Sequence, residues 1–380
     1  MYESQARRGV RWLTPAARCR KAPRMDDRTK DLEQHIQGLT QALQAGKGAE
    51  DLLGRALAAE LALEFRGTDA MIGLPPVDDA LIERADALVG EALQRAAVAG
   101  LAEAQARFGA RLLEDGEIDG ALEHLAAAAE KGDPEAGRLA AATIWEGRIE
   151  NRAEQAARLA AKAAPGDESG ASDYLLGLFA FHGFGGAKDL KQSVVHHEAA
   201  AKKGHDGAMF ELYAMISQGL GHEKDEAEAL GWCERAAEAG NVRAMYNLGA
   251  FHATGHGVPQ DSEKSVVWYD QAARAGHGRA AATLGVMYAL GEGVSKSEDL
   301  ALTYFSLAEA TGFEWQDLAE ATGVDVEAYE EAMAEGEDDD LDELEEDEDE
   351  DDEDDEDEDE DEDEDDDEGE GEGEGEGEKN

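Results

Sequence analysis

The sequence predicts an all-α fold: a solenoid of stacked helix pairs followed by a disordered acidic tail. Three observations lead there. Gly-x-Gly pairs recur at Gly183/Gly185, Gly219/Gly221, Gly255/Gly257 and Gly291/Gly293, a beat of 36 residues. The body is rich in Ala, Leu and Gly, poor in Pro and sparing of β-branched residues, which favours helix over sheet. Of the 90 acidic residues, 36 crowd between Glu335 and Glu378, a stretch with almost no apolar area to offset the entropy of ordering. A fixed period of this length marks units that cannot bury their apolar faces alone and so must stack.

The elements follow in order. The first 24 residues hold seven Lys or Arg against one Glu, so residues 1–25 read as a basic, disordered leader. Two readings of it stand. It is an upstream extension, with the working start at Met25 and Asp26 or Asp27 as a helix cap, or an Arg-rich presequence for an organelle. Residues 26–95 have helical composition without a clear repeat and form an N-terminal helical region. Closing glycines then fall at Gly100, Gly132, Gly166, Gly204, Gly240, Gly276 and Gly312. Their spacing is irregular at first and settles at 36, which predicts degenerate repeats over 96–170 and clear ones over 171–312. About six helix pairs begin near Ala96. Residues 313–336 should close the array with acidic, partly apolar helices over its last repeat, and residues 337–380 form the tail.

Each recurring mark has a mechanical task. In "NVRAMYNLGAFHAT", Ala244, Leu248, Phe251 and His252 share one face of a 3.6-period helix. Asn241 and Asp133 are N-caps, the latter with Pro134 in the first turn. Gly255 suits a left-handed C-terminal cap, and Gly257 lets the chain turn without a side chain in the way. Asp261 or Ser262 then caps a second helix that ends on Gly276. Small residues at Ala244, Gly249, Ala272 and Ala273 allow close approach of helix axes, and Trp232 and Trp268 fill the gap to the next unit.

At these positions the sequence resembles the Sel1-like repeat family, relatives of the tetratricopeptide repeats. The family pattern is matched by Ala244, Leu248, Gly249, Gly255, Gly257, Val258, Asp261, Lys264, Trp268, Tyr269, Ala272, Ala273 and Gly276. It is broken at His252, where tyrosine is expected, and at Ser265, where alanine is; Tyr288 restores the tyrosine one unit later. The resemblance implies a right-handed solenoid that binds and scaffolds other proteins, with the first helix of each pair lining the concave side. On that strip Glu211, Arg243, Tyr246, Asn247, Arg279 and Thr283 are the expected exposed partner-binding residues. Exported members of the family often carry paired cysteines in each repeat. This chain has only Cys19 and Cys233, which fits a reducing compartment and a cytoplasmic location, or an organelle if the leader is a presequence.

Residues able to carry chemistry read better as structure. His252 fills a slot held elsewhere by Tyr288, His196 one held by Trp232 and Trp268, and His205 and His277 share the helix-start slot of Asn241. Ligands for a metal would not be replaced by non-ligands in sister units, so no metal is expected. The Gly-x-Gly pairs follow helices, not strands, and lack the third glycine of a dinucleotide fingerprint, so no cofactor is expected. Cys233 shares its slot with Tyr269 and Phe305 and reads as a packed residue. No hydrolase or P-loop signature is present, and the chain reads as non-enzymatic.

With the tail set aside, residues 1–334 still carry 54 acidic against 33 basic side chains, which argues against direct contact with nucleic acid. No apolar run is long enough to span a membrane. The expected function is a protein-interaction scaffold; the oligomeric state is left open. The alternative is an acidic-tail chaperone or decoy for basic proteins, and a repeat-based hydrolase is the third reading.

Overall fold

The computed structural model describes residues 25–64 and 78–331, so the leader at 1–24 and the acidic tail at 337–380 lie outside the described residues. The chain divides into two units, one ending at Val324 and one beginning at Asp325. The first consists of α1 (Met25–Gln44), α2 (Ala49–Glu64), α3 (Asp79–Val98), α4 (Ala102–Glu114), α5 (Ile118–Glu130), α6 (Pro134–Glu146) and α7 (Ala153–Ala163). It continues with α8 (Ala171–His182), α9 (Leu190–Lys202), α10 (Asp206–Gln218), α11 (Glu226–Glu238), α12 (Val242–Thr254), α13 (Ser262–Arg274), α14 (Gly278–Leu290), α15 (Glu298–Ala310) and α16 (Gln316–Thr322). A 3-10 turn, Glu150–Arg152, precedes α7. In the second unit residues 326–331 are helical. No strand occurs among the described residues.

Each helix from α1 to α15 packs on its neighbour in sequence, most extensively within the pairs α4/α5, α6/α7, α8/α9, α10/α11, α12/α13 and α14/α15. The fold is an α-solenoid of stacked helix pairs, and its apolar interior is correspondingly a chain of local clusters. Ala96, Ala97 and Ala104 join α3 to α4, with Leu53 of α2 and Phe108 packed against them. Phe210, Cys233, Ala236, Ala244 and Leu248 join α10, α11 and α12, and Trp268 of α13 packs on that cluster. Trp232 likewise packs on the cluster of Val194, Leu212, Met215 and Ile216. Both tryptophans therefore lie between neighbouring units, as expected.

The caps explain why the helices begin and end where they do. Asn241 accepts from the Ala244 amide at 3.0 Å and Asp133 from the Ala136 amide at 3.0 Å. Asp261 rather than Ser262 caps α13, accepting from the Lys264 amide. Asp189 and Asp225 each accept from two amides. Gly255 takes φ 74° and Gly257 φ 73°, left-handed values that an L side chain adopts at a cost. The Asp261 amide then donates back to His252 O at 2.9 Å, closing the turn.

Within a pair, contact depends on one large residue facing one small one. A Cβ placed on Gly249 would lie 2.6 Å from Tyr269 Cδ1, and one on Gly177 would lie 2.5 Å from His197 Cε1. Gly285 lies against the Phe305 ring in the same way, and Gly109 against Leu125. In the pair α10/α11 the roles are exchanged: Tyr213 stands in the glycine slot, and Cys233 in the slot of His197, Tyr269 and Phe305. Cys233 is fully buried and packed beneath Tyr213. Total side-chain volume is kept while its owner changes, the kind of exchange a close-packed interior tolerates. At the end of the array Trp315 is fully buried and stacks on Phe305 at 4.0 Å, its Nε1 donating to Glu309 at 2.8 Å. From there α16 packs on α14.

Candidate interaction surface

The six residues singled out from the sequence fall on three successive first helices: Glu211 on α10, Arg243, Tyr246 and Asn247 on α12, Arg279 and Thr283 on α14. Arg243 and Arg279 are exposed. Glu211, Tyr246, Asn247 and Thr283 are half-buried, not exposed as expected. For Tyr246 and Asn247 the reason is contact with side chains of adjoining units. Burial raises the pKa of Glu211, and Arg243 works against that shift. Tyr246 lies between Tyr269, at 5.5 Å, and His277, on which it stacks at 4.6 Å. Asn247 hydrogen-bonds the Tyr213 hydroxyl of the preceding unit. The Thr283 hydroxyl donates to Arg279 O at 2.8 Å.

The arginines differ in their surroundings. The Arg243 guanidinium lies 4.2 Å above the Phe210 ring of the preceding unit, a cation–π contact that orients it. Arg279 reaches no acidic partner among the described residues. Both act on His277: after burial, they are the charges that lower its pKa. A strip of two cations, a tyrosine and an amide thus runs across two successive repeats, α12 and α14, on an otherwise acidic chain.

Two histidines do something that side-chain type alone did not reveal. His205 and His277 are N-caps, each accepting an amide through Nδ1, from Ala208 and Ala280 at 3.2 Å. Each ring also stacks on a tyrosine of the preceding repeat: His205 on Tyr174 at 4.4 Å, His277 on Tyr246 at 4.6 Å. The signal available in the sequence was the slot they share with Asn241.

The strip offers no nucleophile paired with a base. Burial pushes the Cys233 thiol up to about 12, far from a thiolate at neutral pH. Among the described residues no three His, Cys, Asp or Glu side chains come together as a cation site. Nor is any described helix long and apolar enough to cross a membrane. What the strip can do is present charge and hydrogen-bonding groups to another surface.

Comparison with known proteins identifies the repeat. A family model, the Sel1 repeat, matches residues 171–205, 208–241, 242–277 and 278–310. Residues 171–310 are an array of four Sel1 repeats. Each Sel1 repeat here is one helix pair plus its link, α8/α9 to α14/α15, and α4–α7 lie outside the matched residues. No curated protein matches the chain. Among solved structures, a Sel1 repeat protein from Oxalobacter formigenes is 29% identical, over 55% of this chain and 84% of that one, with a TM-score of 0.49. A protective antigen of uropathogenic Escherichia coli strains displaying an SLR fold is 22% identical, over 77% and 76% of the two chains, with a TM-score of 0.39. Sel1-repeat proteins generally act as protein-interaction scaffolds.

Proposed function

We propose that the chain is a non-enzymatic scaffold that holds a partner protein on the concave face lined by α10, α12 and α14. The supporting observation is the continuity of the strip: Arg243 and Arg279 exposed on consecutive first helices, with Tyr246 and Asn247 fixed between them by contacts to adjoining units. Packing holds these side chains in place before a partner arrives, which lowers the entropy lost on binding. The acidic segment from Glu337 supports a second reading, electrostatic capture of basic proteins.

Affinity capture with three baits separates the readings: the full chain, the chain without Glu337–Asn380, and R243E/R279E, each at low and high salt. The strip reading expects partners to persist after the deletion and to be lost from the arginine variant. Partners lost on deletion, and from the full chain in moderate salt, would instead establish the decoy, because exposed charges are screened beyond about 10 Å at 0.1 M. Partners unaffected by both changes would remove both readings.

A further inference from the structure

We propose that His205 and His277 make the Sel1 array acid-labile at two of its three internal junctions, while the middle junction, capped by Asn241, holds. The inference rests on the fold alone and stands whether or not the strip is the partner surface.

The geometry supplies the switch. His205 begins α10 at the junction of repeats 171–205 and 208–241; His277 begins α14 at the junction of repeats 242–277 and 278–310. A histidine Nδ1 accepts an amide hydrogen only when it carries no proton of its own. Protonation would turn the Nδ1 of each ring into a donor aimed at the Ala208 or Ala280 donor. It would also bring a positive charge to a helix N-terminus, where the helix dipole opposes it. Neither ring can turn away freely, because each is stacked on the tyrosine of the preceding repeat, at interplanar angles of 22° for His205 and 13° for His277. The same contact that ties two repeats together therefore depends on a neutral imidazole. At the middle junction Asn241 accepts from Ala244 through Oδ1 and donates to Asp206 Oδ2 at 3.0 Å, using an amide that does not titrate.

The charges around each ring favour the neutral form on balance. For His205 burial is the largest influence; Asp206 on α10 and Asp167 before α8 favour the cation, whereas Arg138 on α6 opposes it. His197 on α9, held down to about 3 by burial, His205 and His196, stays neutral while His205 titrates. Lys203, two residues before, is held by Asp173 and by Ala164 O and Asp167 O. Tyr174 is the titratable group on its face. For His277 burial again leads, and Arg279 on α14 and Arg243 on α12 both oppose the cation. Arg274 at the end of α13 is paired with Asp270, and Thr311 and Phe313, which approach Gly278 from the loop after α15, are uncharged. Both histidines are thus lowered in the folded state from the ordinary 6.5. The sign follows: the caps contribute fully above about pH 6.5 and are lost as pH falls below it through the folded values. Loosening at His277 would part Arg279 and Thr283 on α14 from Arg243, Tyr246 and Asn247 on α12, and so divide the strip.

Hydrogen exchange on the full chain at pH 7.5 and 5.0, corrected for intrinsic rates, reads this at single amides. Relative to Ala244, the protection of Ala208 and Ala280 should fall more than about threefold, toward the limit of about 30-fold set by opening to a state with an ordinary histidine pKa. The variant H205N/H277N, which copies the middle junction, should keep its protection at pH 5.0. A fall of less than about threefold relative to Ala244, an equal fall at all three amides, or the same fall in the asparagine variant would overturn the proposal. The wild-type comparison with Ala244 needs no variant and decides the matter if H205N/H277N fails to fold.

Discussion

Exchanging the large and small partners of one helix pair is the sharpest test of how these repeats pack. In α12/α13 the small residue is Gly249 and the large one Tyr269; in α10/α11 they are Cys233 and Tyr213, on the opposite helices. Copying the second arrangement into the first means G249Y/Y269C. Alone, Y269C removes a ring that is 5% exposed and leaves a cavity between two helices. Losing a buried aromatic side chain costs about 3–5 kcal/mol. Alone, G249Y drives a ring into one already there: even a bare Cβ at position 249 would lie within 2.9 Å of three Tyr269 ring atoms, the innermost being Cγ. The existing ring cannot swing clear from so near its own root, so the cost is about 3 kcal/mol or more. Together, the new tyrosine fills the space the old one leaves. It also meets Thr283 in the slot where Tyr213 meets Asn247. The double variant should unfold in urea at a midpoint above either single variant, with a coupling energy of at least about 2 kcal/mol. A double variant no better than the sum of its parts would refute the claim that volume is shared across the pair.

Three further outcomes are expected. Burial pushes the His197 imidazole down to about 3, helped by His205 and His196, so its stabilising contribution is complete above pH 6.5 and drains away as pH falls toward 3. The gap is worth roughly 4–5 kcal/mol, and H197C should flatten the dependence of the urea midpoint on pH over that range; an unchanged slope would count against it. Ser265 is fully buried with its hydroxyl unpartnered, whereas Ser193, 72 residues earlier, donates to Gly177 O at 2.9 Å. S265A should therefore be neutral or stabilising by up to about 1 kcal/mol and S193A destabilising by a similar amount, a contrast that equal melting shifts would erase. Gly276 has φ 89° and open space about its α-carbon, while Gly221, at φ 74°, lies directly against Leu190 O. G276A should cost about 1–2 kcal/mol and G221A about 3 kcal/mol or more, so a calorimetric ranking in the reverse order would show that the turn does not press on the preceding unit.

Much of the array was legible because its cues act over a few residues. Asn241, Asp133 and Asp261 satisfy amides at most three positions away, and Gly255 ends its helix by backbone conformation alone. Nothing distant is needed to read them. The candidate strip was legible in its placement on α10, α12 and α14 but not in its exposure. Whether Tyr246 or Asn247 meets water depends on side chains 31 residues ahead or 34 behind, at His277 and Tyr213. The capping histidines were half legible: the slot shared with Asn241 marked a helix start, but the stacks on Tyr174 and Tyr246 required neighbouring repeats in contact.

By itself the sequence determined the period, the helix ends and the need to stack, since each follows from local hydrogen bonding and from units too small to bury their own apolar faces. Only the tertiary structure decided which member of each pair carries the volume, which strip residues are covered, and which imidazoles must stay neutral. Those outcomes depend on how closely one helix approaches the next. That distance is fixed by Gly249 meeting Tyr269, or Tyr213 meeting Cys233, across space and not along the chain.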